Sequence, residues 1–560
     1  MINHLGTRHY AFLAVFALAI FLPGRATLPP LDRDEPRYME ASAQMLQTGN
    51  YVDVRFQDQP RYLQPAGIYW LEAAAVAASG TLEHREVWGW RIPSLIAAVC
   101  SVLLTASIGA TLFGPETGLF AALLLSVSVL MTAEARMATI DSCLLTTVLL
   151  AQFALLRLWP GPPRSGPPKL GEAAATPAPV WAATLFWAAL GLGLMLKGPV
   201  ILIPGFGTPI ALAVTSRSIA WWKRLRPAWG VPLMLAIVLP WCVAIWVVSD
   251  GTFFSKAVGT NFLGKVASGQ QAHGLPPGYH LLVFAIAFWP GSLLAAAAIP
   301  FVWLRRRIPA VKFLLCWIIP HWLVFELIAT KLPHYVLPVY PAIAILTAAS
   351  LTAPEGWLWP RRMIGKMALG LYGGAWLVLG LALAAAGPIL LWRLQHEISV
   401  PALFAAGLAF VLLPGAALLL GLREPRKAVA FAASAALVTY ASLFWVVLPD
   451  LRTIWLSPRI AAMVAQVKPC QDSVLASASF SEPSLVFLVG RNTALVDAAG
   501  AADLLAHDRK CAMALVGVRD EAAFRARLVA DHVDIRQLGQ LDGINYSTGK
   551  HLDLGLFKAR

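Results

Sequence analysis

"PAGIYWLEAAAVAASG", residues 65–80, decides how this chain is threaded. The stretch is apolar, but it is short and carries Glu72. A helix needs about 20 apolar residues to cross a hydrocarbon core of about 30 Å. The segment therefore reads as an interfacial or re-entrant helix and not as a span. The choice matters because apolar runs of spanning length surround it. They lie near 10–24, 88–108, 118–133, 138–157, 180–196, 198–215, 229–249, 279–304, 312–329, 332–350, 367–392, 401–422 and 428–448, thirteen in all. Five basic loops test the count: "RSGPPK" (164–169), "RSIAWWKRLR" (217–226), "RRR" (305–307), "RRMIGK" (361–366) and "REPRK" (423–427). Cytoplasmic loops collect Lys and Arg. With the N-terminus inside and thirteen spans, all five loops fall inside. Counting 65–80 as a span would put them all outside.

Composition agrees with a polytopic membrane protein. Of the 560 residues, 58% are hydrophobic and 13% charged, and mean hydropathy is +0.66. A soluble chain of this size would expose too much apolar surface. The net charge of +14 fits cytoplasmic loops and headgroup contact. No basic groove interleaved with aromatics appears, so nucleic acid is not an expected partner. His4, Arg8 and His9 precede "YAFLAVFALAIFL", but no small-x-small cleavage site follows, so this segment reads as a retained first span. The first outer loop then runs over 25–87.

Two regions follow: a membrane domain over 1–449 and an outer C-terminal α/β domain over 450–560. The second carries more charge and short strand-like runs, "SLVFLVG" (484–490) and "CAMALVGV" (511–518), with "GINYSTGKHLDL" (543–554) as a turn-bounded hairpin. It holds Cys470 and Cys511, which suggest a disulfide in an exported domain or else two buried thiols. The other four cysteines, Cys100, Cys143, Cys242 and Cys316, fall within spans. "PGPPRSGPPKLGEAAATPAP" (160–179) is a cytoplasmic linker. There is no internal repeat and no Walker A, GxGxxG, CxxC or HExxH pattern, so ATP-driven transport by this chain alone is not expected.

Polar residues at membrane depth are costly and default to functional hypotheses. In this topology several share the outer face: Asp34 and Glu35 with Arg37 in "LDRDEPRYMEASAQML" (31–46); Glu134, Arg136 and Asp141; Lys197; Asn261, Lys265 and His273; and Lys331, His334 and Tyr335. Together they suggest one outward-facing cavity. Lys197, Lys265 and Lys331 suit a phosphate as point charges. Asp34 and Glu35 suit proton acceptance or orientation of a hydroxyl. Pro36 is expected at the first helical position, with the acid pair at a helix N-terminus that favours their ionised form. Each residue also has a plain structural reading. Asp34 and Glu35 suit a helix cap, Arg136 and Asp141 an ion pair, and Lys197 and Lys331 snorkelling to headgroups. Asp, Glu and His on one face are the donors a divalent cation takes, but no ligand spacing is diagnostic, and no metal is assigned.

The order "DE-x-RY", "AR-x4-D" (Ala135, Arg136, Asp141), "GLG-x3-KGP" (191–199) and "KLPHYVLPVYPA" (331–342), with "WRIPSLIAA" (90–98), resembles the GT-C glycosyltransferases. Within them it is most similar to the protein O-mannosyltransferase-like family that includes the lipid A aminoarabinose transferases. That resemblance implies an α-helical polytopic membrane enzyme of about thirteen transmembrane helices with a small outer C-terminal α/β domain. It implies a multi-pass protein of the bacterial inner membrane, N-terminus cytoplasmic and C-terminal domain periplasmic. The donor would be a sugar on undecaprenyl phosphate and the acceptor lipid A or another envelope lipid or glycan, with inversion at the anomeric carbon and no required cofactor. It matches Asp34 to the family's catalytic acid and Glu35 to its neighbour, Lys197, Lys331 and Tyr335 to positions near the carrier phosphate, Asp141 to an outer-loop acid and Lys265 roughly to an Arg. Together with the outer-face grouping this gives Asp34 and Glu35 as catalytic and Arg37, Arg136, Asp141, Lys197, Lys265, His273, Lys331, His334 and Tyr335 as substrate-binding candidates. One departure bears on the sugar. Aminoarabinose transferases carry "EKPP" before a "YW"; here, aligned on Trp70, Leu63 stands for the Glu and Gln64 for the Lys. The expected sugar is therefore unassigned, neutral or acidic. The competing readings are transfer to protein Ser or Thr, a transporter or flippase of lipid-linked saccharide, and an inactive sugar-lipid binding protein. Candidates crowded on one face favour an enzyme over a transporter, whose sites sit at the midplane.

Overall fold

The computed structural model describes residues 5–160, 179–257, 259, 264, 275–354 and 362–560. Asn261, Lys265 and His273 lie outside the described residues.

Helices account for most of the chain because long apolar runs can satisfy their backbone in lipid only internally. Among the described residues, nine helical stretches are long and apolar enough to cross a membrane. α1 (Thr7–Phe21) and α5 (Pro115–Ser126) are apolar but shorter. α4 (Ile92–Phe113), with Pro93 at its start, rises about 33 Å over its 22 residues. It turns back into α5 at Gly114, whose φ of +100° favours glycine. The two helices touch backbone to backbone: a Cβ at Gly118 would sit 2.4 Å from the Ala106 carbonyl oxygen. Small residues allow such approach.

The stretch Val180–Ser216 is helical for 37 residues. The expected spans 180–196 and 198–215 fall on its two helices, although the stretch counts once among the nine. α8 (Val180–Lys197) ends at Gly198, where φ is +59°. One tight turn (Gly198–Ile201) leads into α9 (Leu202–Ser216). Gly193 lies against Ile201 and Gly205 against Leu190, so the chain doubles back there. The expected single span 279–304 is instead two helices, Tyr279–Ala287 and Ser292–Arg305, meeting at 120°. Pro290 and Gly291 lie at the break, where proline removes a donor and glycine costs helix stability.

Residues 65–80 form α3 (Gly67–Ser79), 13 residues and about 20 Å long. It is too short to span. It packs on α2 (Glu35–Thr48) in the first outer loop, and its N-terminus crosses the end of α8, where a Cβ at Gly67 would meet the Met195 carbonyl oxygen at 2.5 Å. Glu72 is fully buried and accepts a hydrogen bond from the Ser42 hydroxyl at 2.9 Å. Burial pushes its carboxyl well above the usual range. A short hairpin of β1 (Arg55–Phe56) and β2 (Gln59–Pro60) lies between α2 and α3.

The C-terminal domain is a five-stranded sheet with helices. β3 (Leu475–Ser477), β4 (Ala494–Leu495), β5 (Met513–Gly517), β6 (Ile535–Asn545) and β7 (Lys550–Ala559) run in the order β4-β3-β5-β7-β6. The β3 pairings are parallel and the others antiparallel, with Ala514 opposite Phe557. Cys470 and Cys511 form a disulfide. The run 484–490, expected as a strand, is helix Pro483–Val489. Short apolar runs do not separate buried strand from buried helix by pattern alone. This helix is buried because it docks on the first outer loop, where Phe487 meets Trp90 edge-on at 5.0 Å.

Two polar joints fix that loop. The first is Glu35 with Arg91, 1% and 0% exposed. Arg91 donates to both Glu35 oxygens at 2.7 and 2.9 Å and to the carbonyls of Arg25, Leu28 and Pro29. Glu35 also accepts the Leu31 and Ala138 amides, each at 2.7 Å. The second joint is Asp32. It accepts the Ser484 amide at 3.0 Å and its hydroxyl at 2.6 Å, while its own amide donates to the Tyr546 hydroxyl at 2.7 Å. Tyr546 sits in the turn of the expected hairpin, so that hairpin does meet the membrane-domain side. Alongside, Arg33 pairs with Glu482 at 3.3 Å.

Removing one member of a buried ion pair strands the other charge and costs about 3–5 kcal/mol. Glu35→Gln should therefore lower thermal stability strongly, whereas Asp34→Asn, at an exposed side chain, should leave it nearly unchanged; unfolding in detergent reads both. Equal stability of the two variants would refute the anchoring role. Burial raises the Asp32 carboxyl from 3.8 to about 6, against the opposing hydrogen bonds of Ser484. The folded state thus holds the proton more tightly than the unfolded one. Its stabilising contribution is full below the unfolded value and is lost as pH rises from about 4 toward 6. The stability difference between wild type and Asp32→Asn should change across that window, and a constant difference would sink the assignment.

Candidate active site

Asp34 is the N-cap of α2, with Glu35 first and Pro36 second in the helix, one place later than expected for Pro36. The expected catalytic pair separates here. Glu35 is committed to Arg91 and two backbone amides, so it positions the loop and is not placed to act on a substrate. Asp34 is the opposite case. Its side chain is 73% exposed, makes no capping bond and lies 3.9 Å from the Arg37 guanidinium. The alternative that Asp34 merely caps the helix through its side chain is therefore not what the geometry gives. Its charge lies within electrostatic reach of Glu134, Tyr335 and Arg61.

Tyr335 in turn lines a largely apolar cavity of about 320 Å³. Asp141, Lys197, His334 and Tyr335 provide most of its polar lining, and Trp241 and Phe253 part of its apolar wall. Local structure explains the convergence. Asp141 is the first residue of α7 (Asp141–Leu158), Lys197 sits where α8 breaks, and His334 and Tyr335 lie in the tight turn Pro333–Val339. The Lys197 ammonium donates to Asp141 at 2.6 Å and lies 5.5 Å from the centre of the Tyr335 ring. His334 sits 3.8 Å from Glu134 and 4.0 Å from Asp141. Glu134 ends α6 (Val129–Glu134) and accepts the Thr139 hydroxyl at 2.9 Å. Burial, then the neighbouring Asp141, push its carboxyl up to about 8. Glu134, Asp141 and His334 each offer a donor atom, all within 4.8 Å of one another. Lys197 already supplies a cation to this group, and no metal is assigned to it.

Two sequence-derived candidates sit elsewhere. Arg136 does not pair with Asp141. It is 1% exposed, donates to the carbonyls of Pro23, Thr132 and Ile20, and lies 4.0 Å from the Phe444 ring centre. It ties the end of α1 to α6 because three otherwise orphaned carbonyls need a donor. Lys331 is 2% exposed, and its ammonium caps the carbonyls of Phe325, Glu326 and Ile328 at the end of helix Pro309–Leu327. A lysine there satisfies the helix C-terminus and does not reach the cavity. Lys265 and His273 fall outside the described residues. Arg37 lines a second opening, with Arg61 and Lys256. The sequence reading missed Arg61, Lys256 and the role of Arg91; a buried arginine opposite the acid pair was the available signal for the last.

Comparison with known proteins agrees with this architecture. A family model described as dolichyl-phosphate-mannose-protein mannosyltransferase matches residues 64–165. The chain is 27% identical over 371 residues to the undecaprenyl phosphate-alpha-4-amino-4-deoxy-L-arabinose arabinosyl transferase of Pseudomonas paraeruginosa, covering 65% of this chain. It is 26% identical over 385 residues to the protein of that description from Pectobacterium atrosepticum. The match spans 62% of the length of the first relative and 64% of the second. Among solved structures, ArnT from Cupriavidus metallidurans bound to undecaprenyl phosphate superposes with a TM-score of 0.73 at 19% identity, covering 97% of both chains. The archaeal oligosaccharyltransferase AglB from Archaeoglobus fulgidus superposes with a TM-score of 0.52 at 10% identity, covering 99% of this chain and 74% of that one. The chain is a multi-pass membrane protein with the GT-C fold, and by sequence and fold together it resembles the protein O-mannosyltransferase-like glycosyltransferases.

Proposed function

We propose that this protein is a membrane glycosyltransferase that moves a sugar from undecaprenyl phosphate, or a related polyprenyl phosphate, to lipid A or another envelope acceptor. The single observation that carries the reading is Asp34: an exposed carboxylate, 3.9 Å from Arg37, on an anchored helix start, whose charge reaches Tyr335 in the wall of an apolar cavity that also holds a lysine. The named activity of the relatives from Pseudomonas and Pectobacterium supports it.

The chemistry follows from the charges. The bond from the anomeric carbon to the carrier phosphate breaks, and the phosphate leaves with the electron pair. Lys197, held at the helix break by Asp141, supplies the cation that stabilises this developing charge. The acceptor oxygen attacks from the opposite face, which inverts the anomeric centre. If that oxygen belongs to a hydroxyl, Asp34 takes its proton. If it belongs to a phosphate, Asp34 only orients. The apolar wall suits a prenyl chain entering sideways from lipid. No resident cofactor enters the scheme.

The proposed setting is the bacterial inner membrane, with the N-terminus cytoplasmic and the C-terminal domain periplasmic. The Cys470–Cys511 disulfide supports that side, because disulfides persist in oxidising compartments.

With a panel of undecaprenyl-phosphate sugars and an envelope lipid extract, wild type should transfer sugar. Asp34→Asn should lose at least about 100-fold in rate while keeping donor affinity, the size expected for a positioned acid or base. Equal rates would remove Asp34 from the chemistry. In intact spheroplasts, Cys470 and Cys511 should react with an impermeant thiol reagent only after reduction. Labelling that requires permeabilised membranes would reverse the orientation.

A further inference from the structure

A second opening, of about 410 Å³, shares Leu63 with the apolar cavity. Its charged lining residues are Arg37, Arg61 and Lys256, and no acid lines it among the described residues. Arg61 is the informative one. It is 92% buried by its 8% exposure, yet no carboxylate stands within ion-pair distance among the described residues. Its Nε donates to the Tyr69 hydroxyl at 3.0 Å, and its guanidinium carbon lies 5.1 Å from the Tyr38 ring centre. Those contacts fix its plane without neutralising it. Arg37 is half-buried and 3.9 Å from Asp34, and burial followed by the positive charge of Arg61 holds its guanidinium below the usual arginine range. Lys256 stands over the Tyr62 ring at 5.9 Å. Buried charges are normally paired; here Arg61 has no ion-pair partner among the described residues and Arg37 has Asp34 at 3.9 Å, so the two guanidinium groups share one nearby carboxylate and the wall keeps a net positive charge.

We propose that Arg37, Arg61 and Lys256 form an oxyanion-binding subsite, separate from the Lys197 cavity, that holds a phosphate or carboxylate group of the substrate beside Asp34. A planar guanidinium with both terminal nitrogens available matches either group bidentately. The subsite disfavours an ammonium-bearing sugar on this side and favours either an acidic sugar or a phosphate-bearing acceptor. It deepens the glycosyltransferase reading, on which the choice between those two sources rests; the binding of an anion does not depend on turnover.

The test has two arms. In the first, inorganic phosphate is titrated against purified full-length protein at constant ionic strength, with thermal unfolding as readout. Wild type should be stabilised in a saturable way, and Arg61→Gln and Lys256→Gln should lose that response. Lys256 is exposed, so its variant folds irrespective of Arg61. A response unchanged in both variants, or absent in wild type, overturns the subsite even if the enzyme transfers sugar. The second arm compares uronic, neutral and amino sugars on undecaprenyl phosphate, with phosphorylated and dephosphorylated lipid A as acceptors. Arg61→Gln should raise KM for the anionic partner by about 10- to 100-fold, the range for a lost charged hydrogen bond, with kcat little changed, and Arg61→Lys should recover part of it. The partner whose KM moves identifies the source. Loss confined to the uronic donor means a sugar carboxylate, and loss confined to the phosphorylated acceptor means an acceptor phosphate. An equal effect on all donors and acceptors overturns the proposal in favour of a purely structural Arg61.

Discussion

The ion pair of Glu35 and Arg91 is the joint on which this architecture depends. Arg91 opens α4, the first long membrane helix after the outer loop, and Glu35 opens α2, the first helix of that loop. Their bidentate contact, with three loop carbonyls and two loop amides gathered around it, closes residues 25–35 against the membrane bundle. A buried pair of this kind adds little net stability over an apolar pair, since desolvation offsets the attraction. What it gives is register. With Glu35 pinned at one side and Asp32 pinned to Ser484 and Tyr546 at the other, Asp34 has little choice of position. The exposed acid is thus held by its two buried neighbours.

That arrangement also gives the C-terminal domain a structural role near the site. Helix Pro483–Val489 and the β6–β7 turn contact the loop that presents Asp34, through Phe487 on Trp90 and through the bonds to Asp32. The Arg85 side chain ties Glu40 of α2 to the Phe487 carbonyl. A domain separated from the loop by more than 400 residues of sequence therefore completes its outer wall. On the membrane side, the break of α8 at Lys197 and the start of α7 at Asp141 do the equivalent work for the apolar cavity.

Acids and bases in this chain divide by whether a backbone terminus claims them first. Arg136 and Lys331 are spent on carbonyls at helix ends, which in an apolar surrounding must find donors. Lys197 is claimed by Asp141 and remains in the cavity wall. Arg61 is held by a tyrosine and keeps its charge for something else. Proximity in sequence to a polar motif says little about which fate a residue meets; Arg136 lies five positions from Asp141 and never touches its carboxylate.

The sequence alone determined the membrane class, the shortness of 65–80, the hairpin at 543–554 and the gathering of Asp141, Lys197, His334 and Tyr335, because hydrophobic length and turn chemistry are local properties. The residues alone offered Asp34 and Glu35 as a pair, and only the resemblance of "DE-x-RY" to the glycosyltransferase motif singled out Asp34. Only the tertiary structure decided that Glu35 is an anchor and Asp34 the exposed acid, that 484–490 is helix, that the stretch 279–304 bends by 120°, and that Arg61 faces a cationic opening. Each of those depends on partners distant in the chain: Arg91 for Glu35, the outer loop for Phe487, and Arg37 and Lys256 for Arg61. A charge shows its partner in the sequence only when the two are neighbours, as Asp34 and Arg37 are, and Glu35 and Arg91 are not.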